Sequence, residues 1–315
     1  MLPPLFHLAA AATLTTTMLS GGTAIIDKAF DPVRSPALIA AERATDAMMV
    51  PTMIQMVLDT PGFDPASLSS MRRILYGASP MREATLDRIM AATPHIDFIQ
   101  AYGMTEVSCT ATLLGAEFHK GEHRDAGRHR GAGQAIAIAE VMVADEQGNT
   151  LPVGEVGEVL IRGAGVMLGY WNQPELTAET LRGGWMHTGD GGRLDDHGIL
   201  YVVDRLKDMI VSGGENIFSA EVESALSLHP AVEQVAVIGV PDPRWGERVH
   251  AVILPRAGMA LSEADLVAHC RTHIAGYKCP RRVSFIDAMP LSGAGKVLKT
   301  TLRAPFWEGR ERKVA

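Results

Sequence analysis

The stretch D-R-L-K-D-M-I-V-S-G-G-E-N, residues Asp204–Asn216, decides how this chain is divided. Four of its first five residues are charged, three apolar residues follow, and Ser212 then precedes two glycines. This order predicts a charged turn, a short strand and a loop that can adopt positive φ. Such a turn suits a junction between two bodies, although charged turns before short strands are also common at protein surfaces. We therefore predict a large domain over residues 1–204, a hinge over 205–208 and a small domain over 209–315.

The residues before this stretch alternate between helical and strand patterns, which is typical of an α/β fold with a largely parallel sheet. The region from residue 135 onward changes to strand patterns and predicts a β-rich portion. The segment Gly121–Gly133 predicts a flexible loop, and its His123 and His129 have no carboxylate at ligand spacing, so we expect no metal there. The predicted elements are a helix after His7, strands over Thr23–Asp27, Ala47–Val50, Ile74–Tyr76, Ile96–Ile99, Ala135–Ala144 and Gly157–Arg162, and helices over Pro36–Arg43, Pro51–Leu58 and Arg82–Ala92.

The residues after the stretch predict a small α+β domain. Ser219 is placed to cap a helix that continues to Leu228, and Ser262 with Asp265 forms a capping-box pattern at the start of a second helix. The predicted strands are Val235–Val240, Val249–Leu254 and Arg282–Ile286.

Composition excludes several classes of protein. A net charge of -7 opposes sequence-independent binding to nucleic acid, which needs clustered cations. Three cysteines without metal-ligand spacing indicate reduced thiols and a cytoplasmic protein. Residues 1–26 lack the basic start of a signal peptide, and we expect no transmembrane segment. Peripheral membrane contact and homo-oligomerisation stay open.

Three further motifs carry residues suited to nucleotide chemistry. Y-G-M-T-E at Tyr102–Glu106 follows an apolar strand, so it would emerge at the carboxyl end of that strand, where α/β sheets bind ligands. The Asp190 carboxylate of T-G-D can accept two hydrogen bonds from vicinal ribose hydroxyls. Lys296 lies on a glycine-flanked loop that could deliver its charge to a distant site. Each motif alone is common in turns and loops.

In their order and separation, these motifs and the stretch Asp204–Asn216 resemble the AMP-forming acyl-CoA synthetases of the adenylate-forming superfamily, in particular the long-chain fatty-acid–CoA ligases. The resemblance implies an α/β fold, namely the remainder of a large domain with a parallel sheet and a β-rich subdomain, followed by a small α+β domain. It also implies an acid–thiol ligase that joins a small carboxylic acid, most simply a fatty acid, to CoA. ATP, CoA and Mg²⁺ would take part, with an acyl-adenylate as the intermediate.

The resemblance assigns roles residue by residue. It implies that Tyr102 stacks on adenine, Thr105 contacts phosphate, Glu106 holds Mg²⁺ and Lys296 bridges carboxylate and phosphate during adenylation. Lys299, three residues further on, has the same charge and no expected catalytic role. His7 and Gly77–Ser79 match positions beside the carboxylate and the acyl chain. The residues implied to be catalytic are His7, Thr105, Glu106 and Lys296, and those implied to bind ATP, acyl group or CoA are Gly77, Ala78, Ser79, Tyr102, Gly103, Met104, Asp190, Arg205, the hinge residue Lys207, Ser212, Gly213, Gly214 and Glu215.

The resemblance runs from Pro4 to the end of the chain and covers only the later portion of the family. The family's Ser/Thr/Gly-rich loop ending in Lys, which grips the β- and γ-phosphates, would precede Pro4. We therefore expect weakened ATP handling and an exposed apolar face over residues 1–100. The alternatives are a catalytically inactive remnant that binds AMP or acyl-adenylate, and an adenylating enzyme for an aryl acid or a carrier-protein acceptor.

Overall fold

A computed structural model describes residues 5–291 and 297–309 of the chain. Its Cα positions divide into two units, the first formed by residues up to 188 together with 192–202, and the second by residues 189–191 and from 203 onward. The chain therefore passes from one unit to the other three times, and the last passage, between residues 202 and 203, lies one residue before Asp204.

The described residues of the first unit contain six α-helices and the strands of two sheets, except that residues 189–191 and 203–205 of the second sheet belong to the second unit. The helices are α1 (Leu8–Leu19), α2 (Arg34–Glu42), α3 (Pro51–Asp59), α4 (Glu83–Ala92), α5 (Gly121–Asp125) and α6 (Pro174–Thr180). The strands of the first sheet are β1 (Asp46–Met49), β2 (Arg73–Gly77), β3 (Asp97–Tyr102), β4 (Thr112–Leu114) and β5 (Gln134–Ala135), and those of the second are β6 (Ala139–Ala144), β7 (Gly157–Gly163), β8 (Met186–Leu194) and β9 (Leu200–Arg205).

The first sheet has the order β1-β2-β3-β4-β5. The pairs β1–β2 and β2–β3 are parallel, whereas β3–β4 and β4–β5 are antiparallel. The parallel part is buried by helices, because Ile54 of α3 and Ile89 of α4 share a core cluster with Ile74 and Phe98 of the strands. Parallel strands need such cover because both of their faces are apolar. The α/β class is confirmed, with a sheet that is mixed rather than largely parallel.

Three sequence predictions in this unit are wrong. Thr23–Asp27 forms no strand, because β1 is the edge of the sheet and this segment does not pair with it. Ala135–Ala144 is two strands rather than one, since the chain leaves the first sheet after Ala135 and enters the second at Ala139. Gly121–Gly133 is not a loop, because it contains α5 and a 3-10 turn at Arg128–Arg130.

The second sheet has the order β6-β7-β8-β9, and its antiparallel β6–β7 pair runs in continuous register from Ala139↔Gly163 to Ala144↔Glu158. Val143, Val159 and Ile161 of this pair are buried in a core with Val107 and Met186. In the part of the chain that the structure describes, five further 3-10 turns connect the elements, at Pro65–Leu68, Thr105–Val107, Ala116–His119, Arg182–Gly184 and Leu206–Asp208.

Large apolar side chains of the first unit stay exposed at its start. Six of them lie within residues 5–33, namely Leu5, Phe6, Met18, Leu19, Ile26 and Val33. None of the helices in the described ranges is both long and apolar enough to cross a bilayer.

The second unit is a five-stranded sheet with helices. Its main order is β11-β10-β13-β12, and β14 pairs in parallel with β13. The capping box predicted at Ser262 and Asp265 is present at the start of α8. The elements are β10 (Ile210–Ser212), β11 (Glu215–Ile217), α7 (Ser219–Ser227), β12 (Val232–Asp242), β13 (Gly246–Pro255), α8 (Glu263–Arg271), β14 (Arg282–Phe285) and α9 (Lys299–Trp307).

The cap of α7 differs from the sequence prediction. Ser219 is the first residue of the helix, and its hydroxyl donates to Asp204 Oδ2 at 2.6 Å. The same carboxylate oxygen accepts the backbone N–H of Ala220 at 3.1 Å. Asp204 thus satisfies the amide of Ala220, the second residue of the helix, a task that a neighbouring Ser, Thr, Asp or Asn side chain usually performs.

Candidate active site

Two neighbouring parallel strands end at the same edge of the first sheet. Strand β2 ends at Gly77 and strand β3 ends at Tyr102, with Gly77 opposite Ala101 in the register. The segments that follow, residues 78–79 and 103–106, therefore leave the sheet side by side at its carboxyl edge. This confirms the predicted exit of Tyr102–Glu106 from a strand, at the place where α/β sheets hold ligands.

At this edge, two glycines lie so close to a neighbouring backbone carbonyl that a residue with a Cβ would not fit. A Cβ on Gly77 would lie 2.3 Å from the carbonyl oxygen of Ala101, and a Cβ on Gly103 would lie 2.4 Å from that of Cys109. Between them, Ala78 is exposed and has φ of 66°, in the left-handed region that L residues avoid. Strained backbone of this kind is concentrated at functional sites.

The Tyr102–Glu106 segment is closed into a compact turn by its own backbone. The amide of Cys109 donates to the carbonyl of Met104 at 3.0 Å, and the amide of Ala111 donates to that of Tyr102 at 2.8 Å. Ser108 and Cys109 have φ of 55° and 85°, so two consecutive left-handed residues reverse the chain. Tyr102 is half-buried against the core of the second sheet, whereas Thr105 is exposed.

Glu106 is held by Tyr170, a residue that no sequence motif singles out. The hydroxyl of Tyr170 donates to Glu106 Oε1 at 2.9 Å, and the amide of Met167 donates to the Glu106 carbonyl at 2.7 Å. Burial, reinforced by the Glu106 carboxylate, raises the pKa of Tyr170 above its ordinary value, so the phenol stays a hydrogen-bond donor. Tyr170 lies 64 residues beyond Glu106, and no local spacing in the sequence connects the two.

The Glu106 carboxylate suits a cation that is shared with a phosphate ligand. Among residues 5–291 and 297–309, no group of three or more His, Cys, Asp or Glu side chains could enclose a metal ion. Mg²⁺ is usually held by one or two carboxylates together with substrate phosphates rather than by a complete protein cage. The half-buried Glu106 carboxylate, oriented by Tyr170, fits that mode.

His7 has a structural contact at the start of α1. It is the N-cap residue, and its Nδ1 accepts the backbone N–H of Ala9 at 3.3 Å.

His129, for which the sequence shows no carboxylate at ligand spacing, has a carboxylate partner in the structure. Its Nε2 lies 3.2 Å from Glu83 Oε1. That partner comes from α4, 46 residues earlier, so sequence spacing could not reveal it.

In the second unit, Asp190 and Arg205 form an ion pair. Arg205 Nε lies 2.6 Å from Asp190 Oδ1, with the carboxylate buried and the guanidinium half-exposed. Gly189 has φ of 68°, which a residue with a side chain would adopt only with strain. The 3-10 turn Leu206–Asp208 follows directly, and Lys207 is exposed on it.

Residues Ser212–Glu215 form a tight β-hairpin. Ser212 and Glu215 are register partners, and the two loop glycines between them have φ of 65° and 87°. Two-residue loops with positive φ at both positions match the twist of antiparallel strands. The positive φ predicted for this loop from its sequence is confirmed.

The hairpin lies against an aromatic ring. A Cβ on Gly213 would lie 2.6 Å from the Trp245 ring, and the Gly213 amide donates to the Trp245 carbonyl at 2.8 Å. The guanidinium carbons of Arg244 and Arg281 lie 4.7 and 5.2 Å from the ring centroid. The hairpin therefore has a fixed aromatic and cationic neighbour.

The predicted catalytic Lys296 lies outside the described residues. Lys299, expected to be an uninvolved charge, is the first residue of α9 and is largely buried. Its ammonium lies 2.6 Å from Ser219 Oγ and 2.7 Å from Glu223 Oε1. Lys299 is therefore part of the packing of the second unit and does not serve as a neutral comparison for Lys296.

Comparison with known proteins relates both parts of the chain to one family. Residues 1–171 match the model of the AMP-binding enzymes, and residues 221–296 match the model of the AMP-binding enzyme C-terminal domain. A feruloyl-CoA synthase from Amycolatopsis sp is 44% identical over 96% of this chain and 60% of its own length. A medium/long-chain-fatty-acid–CoA ligase from Mycobacterium tuberculosis is 40% identical over 100% of this chain and 55% of its own length.

Solved structures agree with these matches. The ATP-bound crystal structure of MatB from Rhodopseudomonas palustris has a TM-score of 0.88 and 30% identity, and it covers 98% of this chain and 60% of that one. The chain thus spans between about half and two thirds of the length of the relatives it matches.

Proposed function

This chain belongs to the AMP-binding enzymes, and on that premise we propose that it is an AMP-forming acid–thiol ligase. A carboxylate would attack the α-phosphorus of ATP and release pyrophosphate, giving an acyl-adenylate. The thiol of CoA would then attack the acyl carbon and displace AMP, giving a thioester. The observation that carries this proposal is the exit of the Tyr102–Glu106 turn beside Gly77–Ser79 at the carboxyl edge of two parallel strands.

The first unit would bind the adenylate. Tyr102 would stack on adenine, with Gly103 and Met104 as the adjoining backbone, and Thr105 would donate to phosphate from its exposed position. Glu106 would hold Mg²⁺, and the Tyr170 hydroxyl would keep its carboxylate oriented. When bound, the cation offsets the negative charge of the phosphates. The contact of Tyr170 with Glu106 supports this role, because a ligand carboxylate is effective when its orientation is fixed.

The acyl group would lie near the first of these strand ends. Gly77, Ala78 and Ser79 have little side-chain volume, which leaves room for a chain or ring, and His7 would lie near the carboxylate. We propose a fatty acid as the substrate, and the 40% identical medium/long-chain-fatty-acid–CoA ligase supports this choice. The 44% identical feruloyl-CoA synthase makes an aryl acid the competing assignment, and a carrier-protein thiol is the alternative acceptor.

The second unit would contribute the ribose and CoA contacts. Asp190 would accept hydrogen bonds from the ribose hydroxyls, Arg205 would reach ribose and phosphate, and the hairpin Ser212–Glu215 would line the path of the CoA thiol. Lys296 would bridge carboxylate and phosphate. The buried carboxylate of Asp190 supports its role, because a buried acceptor binds its donors more strongly than an exposed one.

We propose the division into residues 1–204, 205–208 and 209–315, with Lys207 as the hinge between an adenylating and a thiolating arrangement. The last passage between units at residues 202 and 203 supports a pivot in this part of the chain. Three free cysteines, two of them buried, support a cytoplasmic location, where thiols stay reduced.

Carboxylate-dependent exchange of labelled pyrophosphate into ATP tests the proposal. The purified protein would be assayed with Mg²⁺ and a panel of fatty and aryl acids, with its folding checked by circular dichroism. Exchange that requires an acid would support adenylation, and the best acid would identify the substrate class. Absence of exchange from folded protein would overturn the ligase proposal and favour a chain that only binds AMP or acyl-adenylate.

A further inference from the structure

Helix α9 presents two cations to the segment that follows the last passage between units. Lys299 and Arg303 are four residues apart on α9, so they lie on one face of the helix. Asp204 and Asp208 are also four residues apart; Asp204 precedes the turn that contains the proposed hinge residue Lys207, and Asp208 is the last residue of that turn. All of these residues belong to the second unit.

The contact of Arg303 with this turn is direct. Its Nη2 forms an ion pair with Asp208 Oδ1, and its Nη1 donates to the backbone carbonyl of Lys207 at 3.4 Å. The side chains of Arg303 and Asp208 are only 11% and 13% exposed. Arg303 therefore bonds both the side chain and the backbone of the turn through two different nitrogens of its planar guanidinium.

Lys299 is linked to Asp204 through the hydroxyl of Ser219. Lys299 Nζ donates to Ser219 Oγ at 2.6 Å, and Ser219 Oγ donates to Asp204 Oδ2 at 2.6 Å. The same ammonium pairs with Glu223 Oε1 at 2.7 Å. The start of α9 is thus linked to one end of the segment 204–208, while Arg303 holds the other end.

We propose that Arg303 is a positioning residue that fixes the turn Leu206–Asp208 and so controls how readily the proposed hinge changes conformation. The role in catalysis rests on the ligase function proposed above. A rotation at Lys207 changes backbone dihedrals within a few residues. Those changes would move the Lys207 carbonyl and reorient the Asp208 carboxylate, so the contacts with Arg303 would oppose them.

The Arg303–Asp208 ion pair is mostly buried, and this burial makes its loss costly to the stability of the turn. Exposed ion pairs contribute little, whereas a hydrogen-bonded charge pair that is mostly removed from water is costly to break on one side. Removing either partner should therefore raise local opening of the turn about tenfold. Leu302 of α9 packs against Ile238 and Val240 of β12, but the ion pair itself joins α9 to the turn, so β12 and β13 should open no faster.

Amide hydrogen exchange on the full chain tests this proposal without requiring activity. Arg303→Met and Asp208→Asn should each accelerate exchange about tenfold in peptides covering residues 206–210, where the Met209 amide donates to the Arg205 carbonyl at 3.1 Å. The double variant should be no faster than either single variant, because both remove the same pair. Arg303→Lys should be intermediate, since it keeps the charge and loses the fork.

Arg282→Met is the matched control, because Arg282 is 66% exposed and 4.0 Å from Glu263 in the same unit. It should leave exchange at 206–210 unchanged. Unchanged exchange in Arg303→Met, or equal acceleration across β12 and β13, would overturn the proposal. The second result would mean a general loss of stability.

Rates of the two half-reactions, adenylation and thioester formation, distinguish the role of Arg303 from the proposed ligase function. In Arg303→Met, the ratio of pyrophosphate exchange to thioester formation from supplied acyl-adenylate should change at least about fivefold. A constant ratio with altered hydrogen exchange would overturn the catalytic role of Arg303. Absence of both half-reactions in the unaltered protein would instead overturn the ligase function, and hydrogen exchange would still decide whether Arg303 fixes the turn.

Discussion

Arg205 Nε lies 2.6 Å from Asp190 Oδ1, so two side chains proposed to bind one nucleotide are paired with each other. Asp190 is in β8 and Arg205 ends β9, the neighbouring strand of the same sheet. The pair has a consequence for binding. Ribose hydroxyls that donate to Asp190 would share its carboxylate with Arg205, and the arginine would hold that carboxylate ionised and in place.

Asp190→Asn should therefore weaken nucleotide binding more than a single lost hydrogen bond would suggest. The amide retains one acceptor oxygen but loses the charge that attracts Arg205. We expect KM for ATP in pyrophosphate exchange to rise at least about tenfold, with a smaller change in kcat. Asp196→Asn is the control, because the Asp196 side chain is 81% exposed on the turn between the same strands. Equal KM values for the two variants would contradict the assignment.

The pairing of Asp190 with Arg205 also shows what sequence could predict. The T-G-D motif and the stretch after Asp204 were identified separately, since each has a local pattern. Their contact depends on β8 and β9 lying side by side across the turn at residues 195–199, which neither motif reveals by itself. The same holds for Tyr170 on Glu106 and for Arg303 on Asp208, which are separated by 64 and 95 residues.

Elements with a local cause were predicted well, and those that depend on distant neighbours were not. The capping box at Ser262 and the positive φ of Gly213 and Gly214 follow from adjacent residues, and both are confirmed. Thr23–Asp27 has strand propensity but no partner strand, and the sequence pattern favours Ser219 as the cap although Asp204 fills that role. Tertiary contacts override propensity in both failures.

Gly213→Ala and Gly214→Ala should separate backbone strain from packing in the proposed CoA loop. Both positions have positive φ, so each alanine should lower the free energy of unfolding by about 1 kcal/mol. A Cβ at 213 would also meet the Trp245 ring at 2.6 Å, whereas a Cβ at 214 meets nothing within 4 Å. We expect thioester formation from supplied acyl-adenylate to fall further in Gly213→Ala. Equal rates would show that the contact with Trp245 is irrelevant to thiolation.

Buried His119 should make the protein sensitive to acid. Its Nε2 lies 2.8 Å from the Tyr76 hydroxyl and its Nδ1 lies 3.0 Å from the Gly115 carbonyl, so the neutral imidazole fits. Burial lowers the pKa of His119 from 6.5 to about 4. Between those values the unfolded chain binds a proton that the folded protein does not, so stability falls as pH decreases from 6.5 to 4, by up to about 3 kcal/mol.

Urea unfolding at a series of pH values measures this effect. His119→Gln should be less stable at pH 7 and should show a flatter dependence on pH between 6.5 and 4, because the buried titrating group is gone. His197→Gln is the control, since the His197 side chain is 44% exposed, and it should keep the slope of the unaltered protein. An unchanged slope in His119→Gln would refute the role of His119.

Glu106→Gln should change the dependence of pyrophosphate exchange on Mg²⁺. The amide can still accept from the Tyr170 hydroxyl, so the turn should stay folded, but a neutral oxygen binds a hard cation more weakly. We expect the Mg²⁺ concentration for half-maximal exchange to rise about tenfold. Tyr170→Phe should give a smaller rise, since the carboxylate remains and only its orientation is lost. Glu146→Gln is the control, because Glu146 lies at an exposed turn, and it should match the unaltered protein. An unshifted Mg²⁺ curve in Glu106→Gln would rule out Glu106 as a ligand of the cation.

Lys296→Ala should abolish one half-reaction and spare the other. A cation that bridges carboxylate and phosphate acts while negative charge develops in adenylation, so its loss should lower pyrophosphate exchange about a hundredfold or more. Thioester formation from supplied acyl-adenylate does not need that bridge and should stay nearly unchanged.

The control for Lys296→Ala must be another lysine. Lys299→Ala is unsuitable, because the pairing of Lys299 with Glu223 and Ser219 would be lost and the second unit would be destabilised. Lys28→Ala removes an exposed lysine and should leave both steps intact. Equal losses of both steps in Lys296→Ala would exclude a lysine that serves adenylation alone, and with it the two arrangements proposed around Lys207.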